Sequence, residues 1–448
     1  MSYSNADLRK GVLMASVDYT NENRQRLMAF FRSGSKAPED IGRLGVEVEH
    51  LIVGDDGTAI SYEPTDTHKG IRDVLAYLAT WYPQQSFNDH GDLLGLLGDE
   101  GSVTLEPAAQ LELSAAPYDS IAQVRRAYRN FRERVDTFLA ADGAHVEAWG
   151  YHPTHRAQDL VLIPKKRYDF MDSYFQSIGS NGDRMMRGSA STQVSVDFVD
   201  EADAVRKMRV AGALAPILAA IADNTPMFEG EPNHVPIRRL SLWREVDNLR
   251  CGTIPHLFEE RFGFGTYADW LLETPPIFVT RAAADDLDGP TLRPFFTQSA
   301  AEAYADAPLA DSDVEHIASM FWPDVRLKRF VEVRPADCMP EEQIIGYTAL
   351  IKGIFYSNES LSAIEEELGV SANTANSRGA WGLTAQDVSA AIAQIASHGL
   401  AGSVYGKELS TWEGMLFDLA RAALPTSEKD YLVPLESFAA DKPWWHVD

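Results

Sequence analysis

Cysteine is scarce in this chain, which has only Cys251 and Cys338 among its 448 residues. Two isolated cysteines cannot form a disulfide framework, so we expect a reducing, cytoplasmic location. Long apolar runs are also missing: no stretch approaches the roughly 18 apolar residues of a membrane-spanning helix, and residues 1–20 lack the apolar segment of a signal peptide. We therefore expect a protein that is not exported and has no membrane partner.

Positive charge is in deficit, because 40 Lys and Arg residues face 66 Asp and Glu residues and leave a net charge of −26. The resulting field opposes a nucleic acid or an anionic membrane surface, so no nucleic-acid partner is expected. An anionic small molecule such as ATP would need a local basic site.

Several familiar catalytic motifs are absent. The chain has no phosphate loop of the form G-x-x-x-x-G-K-[ST], and Gly263 and Gly265 do not form a dinucleotide fingerprint. His152 and His155 flank Pro153, which argues against the helical histidine pair of a zinc site. Cys338 has no evident histidine partner, so a buried or incidental thiol is a simpler reading than a nucleophile.

Four segments, each predicted as a β-strand, carry acidic, amide or basic side chains at alternate positions. They are Gly45-Val-Glu-Val-Glu-His50, Leu105-Glu-Pro-Ala-Ala-Gln-Leu-Glu-Leu113, Ser191-Thr-Gln-Val-Ser-Val-Asp197 and Arg326-Leu-Lys-Arg-Phe-Val-Glu-Val-Arg334. Successive strand side chains point to opposite faces. The pattern therefore predicts a sheet with one face of valine and leucine and one polar face, on which Lys328, Glu332 and Arg334 lie together.

This polar face has the composition of a site for Mg²⁺ and phosphate. Carboxylate oxygens are hard ligands that suit Mg²⁺, and Lys and Arg can hold phosphate oxygens. If Glu106, Glu112 and Glu332 converge with Glu47 and Glu49, bound Mg²⁺ or Mn²⁺ would relieve their repulsion. A solvated outer face explains any single Glu pair more simply, and an exposed ladder of ion pairs is the alternative for residues 326–334.

The order of the predicted elements defines a fold class. Strands at 43–53, 102–115, 190–198 and 325–334 are separated by hairpins and helices without a regular βαβ rhythm. This favours an α+β fold with a largely antiparallel sheet. No linker or internal repeat divides the chain, so we expect a single catalytic domain over 1–448 whose part from about 340 is mostly helical.

The same segments, in the same order, resemble the plant and proteobacterial branch of the glutamate-cysteine ligase family over roughly residues 40–360. Further matching segments are Pro164-Lys-Lys-Arg-Tyr-Asp-Phe-Met171 and Met185-Met-Arg-Gly-Ser189. The resemblance implies a glutamine-synthetase-like curved sheet that forms a funnel-shaped active site. It also implies that ATP phosphorylates the γ-carboxylate of L-glutamate and that the amine of L-cysteine then attacks, giving γ-glutamylcysteine in the first step of glutathione-type thiol synthesis.

The resemblance also implies roles for individual residues. Glu47, Glu49, Glu106, Glu112 and Glu332 match the metal-binding acids, and Gln193 matches a further metal-site ligand. Lys328 and Arg334 match catalytic positions, and together with Arg329 they match the nucleotide-binding ones. Arg167, Arg239, Arg250 and Trp243 match positions associated with the glutamate α-carboxylate. Mg²⁺ or Mn²⁺ and ATP are thus the expected cofactor and co-substrate.

The chain departs from the family pattern after Arg334, where Pro335-Ala-Asp-Cys-Met-Pro340 replaces a glycine-rich stretch. A stiffer loop there could change the acceptor pocket, so a γ-glutamyl ligase for another small amine is one alternative. A catalytically silent ligand-binding relative is another, although a silent site would have no chemical reason to keep these charges. No feature of the sequence fixes an oligomeric state.

Overall fold

An antiparallel sheet of nine strands forms the centre of the protein, seen in a computed structural model that describes residues 18–179, 181–279, 297–370 and 381–445. The strands are β1 (Leu44–Gly54), β2 (Gln84–Phe87), β3 (Leu93–Gly98), β4 (Gly101–Leu105), β5 (Leu111–Ala115), β6 (Ala144–Glu147), β7 (Ser191–Val196), β8 (Met227–Phe228), β9 (Glu231–Pro232), β10 (Cys251–Gly252), β11 (Trp322–Pro323), β12 (Val325–Leu327), β13 (Val331–Asp337), β14 (Ser403–Val404) and β15 (Lys407–Glu408). The large sheet has the order β12-β13-β7-β1-β5-β4-β3-β2, and β6 pairs with the end of β1. Strands β8 to β11, β14 and β15 form three small two-stranded sheets.

Helices surround the sheet. They are α1 (Thr20–Arg32), α2 (Ile71–Leu78), α3 (Ile121–Ala140), α4 (Lys166–Ile178), α5 (Glu201–Ile221), α6 (Arg238–Trp243), α7 (Phe264–Glu273), α8 (Ala300–Ala303), α9 (Asp311–Ser319), α10 (Glu341–Phe355), α11 (Asn358–Glu367), α12 (Ala385–His398), α13 (Leu409–Ala423) and α14 (Leu432–Ala440). A π-helical turn at Arg184–Gly188 leads into β7. None of the helices in the described ranges is both long enough and apolar enough to cross a bilayer.

One face of the sheet is apolar, as the strand pattern predicts. The side chains of Val46 and Val48 on β1, Val194 on β7 and Val333 on β13 are buried. Helix α5 packs against β13, α10 packs against β7 and β1, and α3 packs against β5 and β6. Helix α5 is apolar around most of its circumference and almost entirely buried, which is typical of a helix in a protein interior. The other face of the sheet therefore remains free to carry polar side chains.

The prediction of an α+β fold with a largely antiparallel sheet is confirmed, since every strand pair of the large sheet is antiparallel. Two predicted strands are wrong in detail. Residues 325–334 form the β12–β13 hairpin, in which Arg326 lies opposite Glu332. Residues 102–115 likewise form two paired strands, β4 and β5, joined by a tight loop at 106–110. The alternation of polar and apolar residues continues across both turns, so the sequence pattern predicts one long strand where the structure has two paired strands.

The N-terminal and C-terminal parts of the chain were also assigned elements from the sequence. The helix predicted at 5–34 is seen as α1 from Thr20, and residues 1–17 lie outside the described part. The described residues after 340 are mostly helical, from α10 onwards. A single cluster of buried apolar side chains runs from Leu27 to Trp445. Residues 335–337 are not a loop but the end of β13, with a register irregularity between Val333 and Ala336.

Candidate active site

A cavity of about 440 Å³ opens on the polar face of the sheet. Strands β1, β5, β7, β11, β12 and β13 contribute to it, together with the β4–β5 loop, α4, α6, the end of α9 and the π-helical turn. Its lining consists of Glu47, Glu49, Glu106, Pro107, Gln110, Glu112, Lys165, Arg167, Tyr168, Met171, Met185, Met186, Ser189, Gln193, Trp243, Ser319, Trp322, Arg326, Lys328 and Arg334. Acidic and basic side chains thus share one cavity.

Strand β1 supplies Glu47 and Glu49, which alternate with buried valines and so point into the cavity. Glu49 is fixed by β7, since its carboxylate accepts hydrogen bonds from the Ser191 backbone N–H at 2.8 Å and from Gln193 Nε2 at 3.1 Å. Burial, with Glu332 and Glu112 nearby, raises the pKa of Glu47 to about 7. A cation at this wall would therefore be favoured.

Glu106 and Glu112 come from the β4–β5 loop and from β5. Glu112 lies opposite Glu49 across the β1–β5 pair and accepts hydrogen bonds from Thr104 Oγ1 at 2.7 Å and Ser114 Oγ at 3.1 Å. Burial and the neighbouring Glu49 raise the pKa of Glu112. Burial, then Glu112 and Glu49, raise the pKa of Glu106 to about 8. Together with Glu47 and Glu49 on β1, the carboxyl groups of Glu106 and Glu112 form an acidic wall of the cavity.

Glu332, predicted to join the cavity acids, lies near Glu47 but is fully buried behind three cations and is not part of the cavity lining. Arg326 binds its two carboxylate oxygens through Nε at 2.6 Å and Nη2 at 3.1 Å. Arg334 Nη1 donates to it at 2.9 Å and Lys328 Nζ lies at 3.4 Å. Burial alone would raise the pKa of Glu332, but these three cations hold it well below its usual range.

Arg334 and Lys328 reach the cavity from the hairpin. Arg334 Nη1 also donates to Gln193 Oε1, so its guanidinium is fixed by both β13 and β7. Lys328 is partly exposed at the mouth of the hairpin, and its ammonium lies 5.6 Å from the centre of the Phe330 ring. The two cations therefore form a basic wall beside the acidic one.

Arg329, predicted to bind the nucleotide, lies outside the cavity. Its side chain is exposed, lies 3.6 Å from Glu315 and stacks over the Phe30 ring at 4.8 Å. The alternation along the hairpin turns Arg329 away from the face that carries Lys328. The structure thus separates two adjacent basic residues that the sequence groups together.

The four residues predicted to bind glutamate divide into two groups. Arg167 and Trp243 line the cavity, and Arg167 donates to Ser319 Oγ and to the Ser319 carbonyl, both at 2.9 Å. Arg239 lies behind the cavity, buried, with Nη1 donating to the carbonyls of Pro335 at 3.3 Å and Ala336 at 3.4 Å. It lines a small adjoining cavity beside Trp243 and Arg334.

Arg250 does not reach the cavity. Its side chain is 1% exposed and pairs with Asp247 Oδ2 at 2.6 Å and with Tyr174 Oη at 2.7 Å, and it also donates to the Pro275 carbonyl. All of these partners belong to the protein itself. Arg250 therefore holds the loop before β10 against α4 and has no guanidinium face directed at a substrate.

Sequence reasoning missed several cavity residues, of which Lys165 and Tyr168 carry polar groups. Lys165 lies 4.8 Å from the centre of the Tyr168 ring, and burial lowers its pKa while Glu106 opposes that shift. Tyr168 Oη donates to the Leu105 carbonyl at 3.1 Å. The Pro164-Lys-Lys-Arg-Tyr segment was the available signal, since Lys165 lies two residues before Arg167, at the start of α4.

The acids do not form a closed metal site as they stand. Across residues 18–445, leaving aside the undescribed gaps, no group of three Asp, Glu, His or Cys side chains is close enough to hold an ion. Mg²⁺ is commonly bound by one or two carboxylates together with substrate phosphates. The acidic wall fits that mode, since the pKa values of Glu47 and Glu106 are raised and the wall faces a cavity that also contains cations.

Comparison with known proteins identifies the family. Residues 43–436 match the model of glutamate-cysteine ligase family 2. Glutamate–cysteine ligase B, chloroplastic, of Oryza sativa subsp. japonica is 33% identical over 344 residues, which cover 77% of this chain and 68% of the relative. The chloroplastic glutamate–cysteine ligase of Arabidopsis thaliana is 32% identical over 342 residues, which cover 76% of this chain and 64% of the relative.

A solved structure agrees at the level of the fold. The crystal structure of glutamate–cysteine ligase from Francisella tularensis in complex with AMP has a TM-score of 0.52 and 12% identity, and the alignment covers 90% of this chain and 82% of that one. At this identity the likeness concerns the fold alone. Together, the sheet, its cavity and the relatives define an ATP-dependent ligase. The chain belongs to glutamate-cysteine ligase family 2.

Family membership confirms the predicted enzyme class and activity, the ATP-dependent formation of γ-glutamylcysteine. The two alternatives, a ligase for another small amine and a silent binding protein, are not favoured. The expectation of a cytoplasmic location is wrong, because the matched plant relatives are chloroplastic enzymes. Cysteine content reports a reducing environment, which several compartments share, and so could not identify the cytoplasm.

Proposed function

We propose that the cavity binds ATP and L-glutamate together with Mg²⁺ or Mn²⁺ and passes the activated glutamyl group to L-cysteine. The γ-phosphoryl group of ATP moves to a γ-carboxylate oxygen of glutamate, and ADP leaves. The cysteine nitrogen then attacks the γ-carbonyl carbon, the bond from that carbon to the phosphate oxygen breaks, and the nitrogen loses a proton. The observation that carries the proposal is an acidic wall and a basic wall in one cavity.

The acidic wall supplies the metal ligands in this proposal. Glu47, Glu49, Glu106 and Glu112 would hold the divalent ions, with the Gln193 amide beside Glu49. Their oxygens suit a hard cation, and burial, followed by the repulsion of neighbouring acids, raises the pKa values of Glu47 and Glu106. When bound, such ions neutralise phosphate charge.

Glu332 has a different role in this proposal. Its two oxygens are bound by Arg326, Lys328 and Arg334, so we assign it to the orientation of these three cations. A guanidinium held in this way needs no reorganisation when charge develops on a phosphoryl group. Arg334 and Lys328 would therefore contact the transferred phosphoryl group, and Arg326 would support them from behind.

Arg167 is the best-placed group for the α-carboxylate of glutamate. Two of its N–H groups bind Ser319, and a guanidinium has five, so donors remain for a carboxylate. Trp243 lies in the same lining and supplies an apolar surface beside the basic wall. Arg239 would act indirectly, since it binds the backbone of β13 just after Arg334.

An isotope-transfer assay tests the proposed chemistry. With L-glutamate labelled by ¹⁸O in the γ-carboxylate, Mg-ATP and L-cysteine, one labelled oxygen is expected in each phosphate released. Glycine and 2-aminobutyrate serve as comparison amines. Unlabelled phosphate would contradict the acyl-phosphate route, and equal rates with all amines would contradict cysteine as the acceptor.

A substitution on the acidic wall tests the metal role. Glu47→Gln should raise the Mg²⁺ concentration needed for half-maximal phosphate release, because an amide oxygen is a weaker ligand than a carboxylate. Glu133→Gln, at an exposed position of α3, is the matched control and should not change it. An unchanged Mg²⁺ requirement in Glu47→Gln would remove Glu47 from the proposed ligands.

A further inference from the structure

We infer that Gln110 is a positioning residue: its buried side-chain amide fixes Glu106 relative to Glu49 and thereby sets the affinity of the site for divalent ions. The inference rests on the proposed metal role of these two acids. Gln110 is 3% exposed and lies at the cavity wall. The resemblance to the family gives it no role.

The side chain of Gln110 is fully engaged with backbone groups from two different segments. Its Oε1 accepts from the Ala108 N–H at 2.8 Å, within its own loop. Its Nε2 lies 3.1 Å from the Met186 carbonyl, 3.3 Å from that of Arg187 and 3.1 Å from that of Ser189. A buried amide with donors and acceptor all satisfied is held in one orientation.

The first segment is the loop that carries Glu106. The Glu106 N–H donates to the Gln110 carbonyl at 3.0 Å, and the Ala109 N–H donates to the Glu106 carbonyl at 3.0 Å. Ala109 has a φ of +68°, an uncommon conformation for alanine. Such a conformation persists where surrounding contacts enforce it, and the bond from the Gln110 side chain to Ala108 is one of those contacts.

The second segment is the π-helical turn Arg184–Gly188, whose Met185 and Met186 also line the cavity. Isolated π-helical turns are frequent at functional sites. This turn runs directly into β7, where the Ser191 N–H donates to Glu49 Oε2 at 2.8 Å. The Gln110 amide therefore joins the loop that presents Glu106 to the turn that leads to the support of Glu49.

The consequence is a second support for the separation of Glu106 and Glu49, beside the direct pairing of β5 with β1. Hydrogen-bonded supports of this kind typically change metal affinity by about 10- to 100-fold when removed. Loss of the Gln110 amide should let the Glu106 loop move relative to β7. Metal affinity should fall while the chemistry at saturating metal is kept.

Direct binding of Mn²⁺ tests the inference without relying on turnover. Gln110→Met keeps the side-chain length but removes both the donor and the acceptor. Its Mn²⁺ dissociation constant, measured by electron paramagnetic resonance with a non-hydrolysable ATP analogue and L-glutamate present, should rise about 10-fold. The Mg²⁺ activation constant for phosphate release should rise by a similar factor, with kcat recovering at saturating Mg²⁺. Gln84→Met, exposed on the edge strand β2, is the control and should match the wild type.

The outcomes separate the inference from its premise. A lower urea midpoint for Gln110→Met with an unchanged Mn²⁺ dissociation constant would make Gln110 purely structural and overturn the inference. Absence of Mn²⁺ binding by the wild type would instead overturn the proposed metal role itself. If Gln110→Met does not fold, Gln110→Asn keeps the amide but is too short for both segments, and should show the same weakening of Mn²⁺ binding.

Discussion

Replacing Arg334 by alanine is expected to abolish most turnover while leaving the protein folded. The guanidinium of Arg334 is fixed by Glu332 at 2.9 Å and by Gln193, so it is preorganised for the charge that develops on the phosphoryl group. Removing one such donor costs about 10²- to 10³-fold in kcat, and loss of a phosphoryl-stabilising arginine costs about 10³- to 10⁵-fold. We expect a fall of about 10³-fold, or ~4 kcal/mol of transition-state stabilisation.

The stability of this variant follows from the partners that Glu332 keeps. Arg326 still binds both carboxylate oxygens at 2.6 and 3.1 Å, and Lys328 remains at 3.4 Å. No uncompensated charge is buried, so the loss should be that of a charged hydrogen bond, ~1.5–3 kcal/mol. Arg326→Met removes the bidentate partner and should cost more, ~3–5 kcal/mol.

Two measurements decide the matter: phosphate release at saturating Mg-ATP, glutamate and cysteine, and unfolding in guanidinium chloride. Arg329→Ala is the matched variant from the same hairpin. Its exposed side chain should leave kcat unchanged and stability within ~0.5 kcal/mol. Wild-type turnover in Arg334→Ala would refute the phosphoryl role, and a greater loss of stability in Arg334→Ala than in Arg326→Met would refute the ranking of the Glu332 partners.

Two further predictions concern buried charges away from the cavity. Arg250→Met should lower the free energy of unfolding by ~3–5 kcal/mol because it leaves Asp247 unpaired, without changing KM for glutamate; a raised KM would return Arg250 to the substrate site. Burial raises the pKa of the Glu413 carboxyl to about 8. The contribution of Glu413 to the free energy of unfolding is therefore complete below its unfolded pKa of about 4.5 and is lost as pH rises through about 8. The loss amounts to up to ~1.4 kcal/mol per pH unit. Glu413→Gln should flatten that fall in urea midpoints, whereas the exposed Glu366→Gln should keep it, and an unchanged slope would contradict the shift. Burial lowers the pKa of Lys442 to about 7, so Lys442 makes the free energy of unfolding rise with pH at higher pH. The urea midpoints of Glu413→Gln are therefore compared with those of the wild type at each pH.

The parts of the acidic wall on β1 and β5 could be predicted from the sequence because they depend on local alternation, whereas Glu106 lies in the loop between β4 and β5. In β1 the residues Val46 and Val48 face the core, which directs Glu47 and Glu49 to the other side. A one-residue change of register would bury the acids, so the pattern fixes the face. The same alternation on β7 predicts that Gln193 lies on the polar face, and Gln193 does line the cavity.

The hairpin at 325–337 could not be predicted, because its turn, Lys328-Arg329-Phe330, contains none of the residues that normally mark turns. The polar face was still assigned correctly, since Arg326 and Glu332 become direct cross-strand partners and opposed residues share a face. The alternation of polar and apolar residues could not predict how deeply each polar side chain is buried. Glu332 lies behind the cations, and only the folded chain shows which side chain screens which.

The positions of Arg239 and Arg250 outside the cavity depend on their acidic partners, which the spacing of residues in the sequence does not identify. Asp247 lies three residues before Arg250 and forms the ion pair that occupies it. That local signal was available but was equally consistent with a surface pair. Arg239 lies 4.0 Å from Asp337, a residue almost a hundred positions away, and such a pairing follows only from the sheet.

The acidic and basic walls stay separate on one face of the sheet, and this separation supports a ligand that carries both a divalent cation and a phosphate. Glu47 and Glu332 lie on neighbouring parts of the same face, yet burial and nearby acids raise the pKa of Glu47 to about 7 whereas three cations hold that of Glu332 far below its usual value. If Arg334 were free to reach Glu47, the two walls would neutralise each other and bind little. Because Glu332 and Gln193 hold Arg334 in place, the acidic wall stays short of positive charge and the basic wall keeps donors for anions. A ligand that combines a divalent cation with a phosphate satisfies both walls at once, which neither an isolated anion nor an isolated metal ion would do.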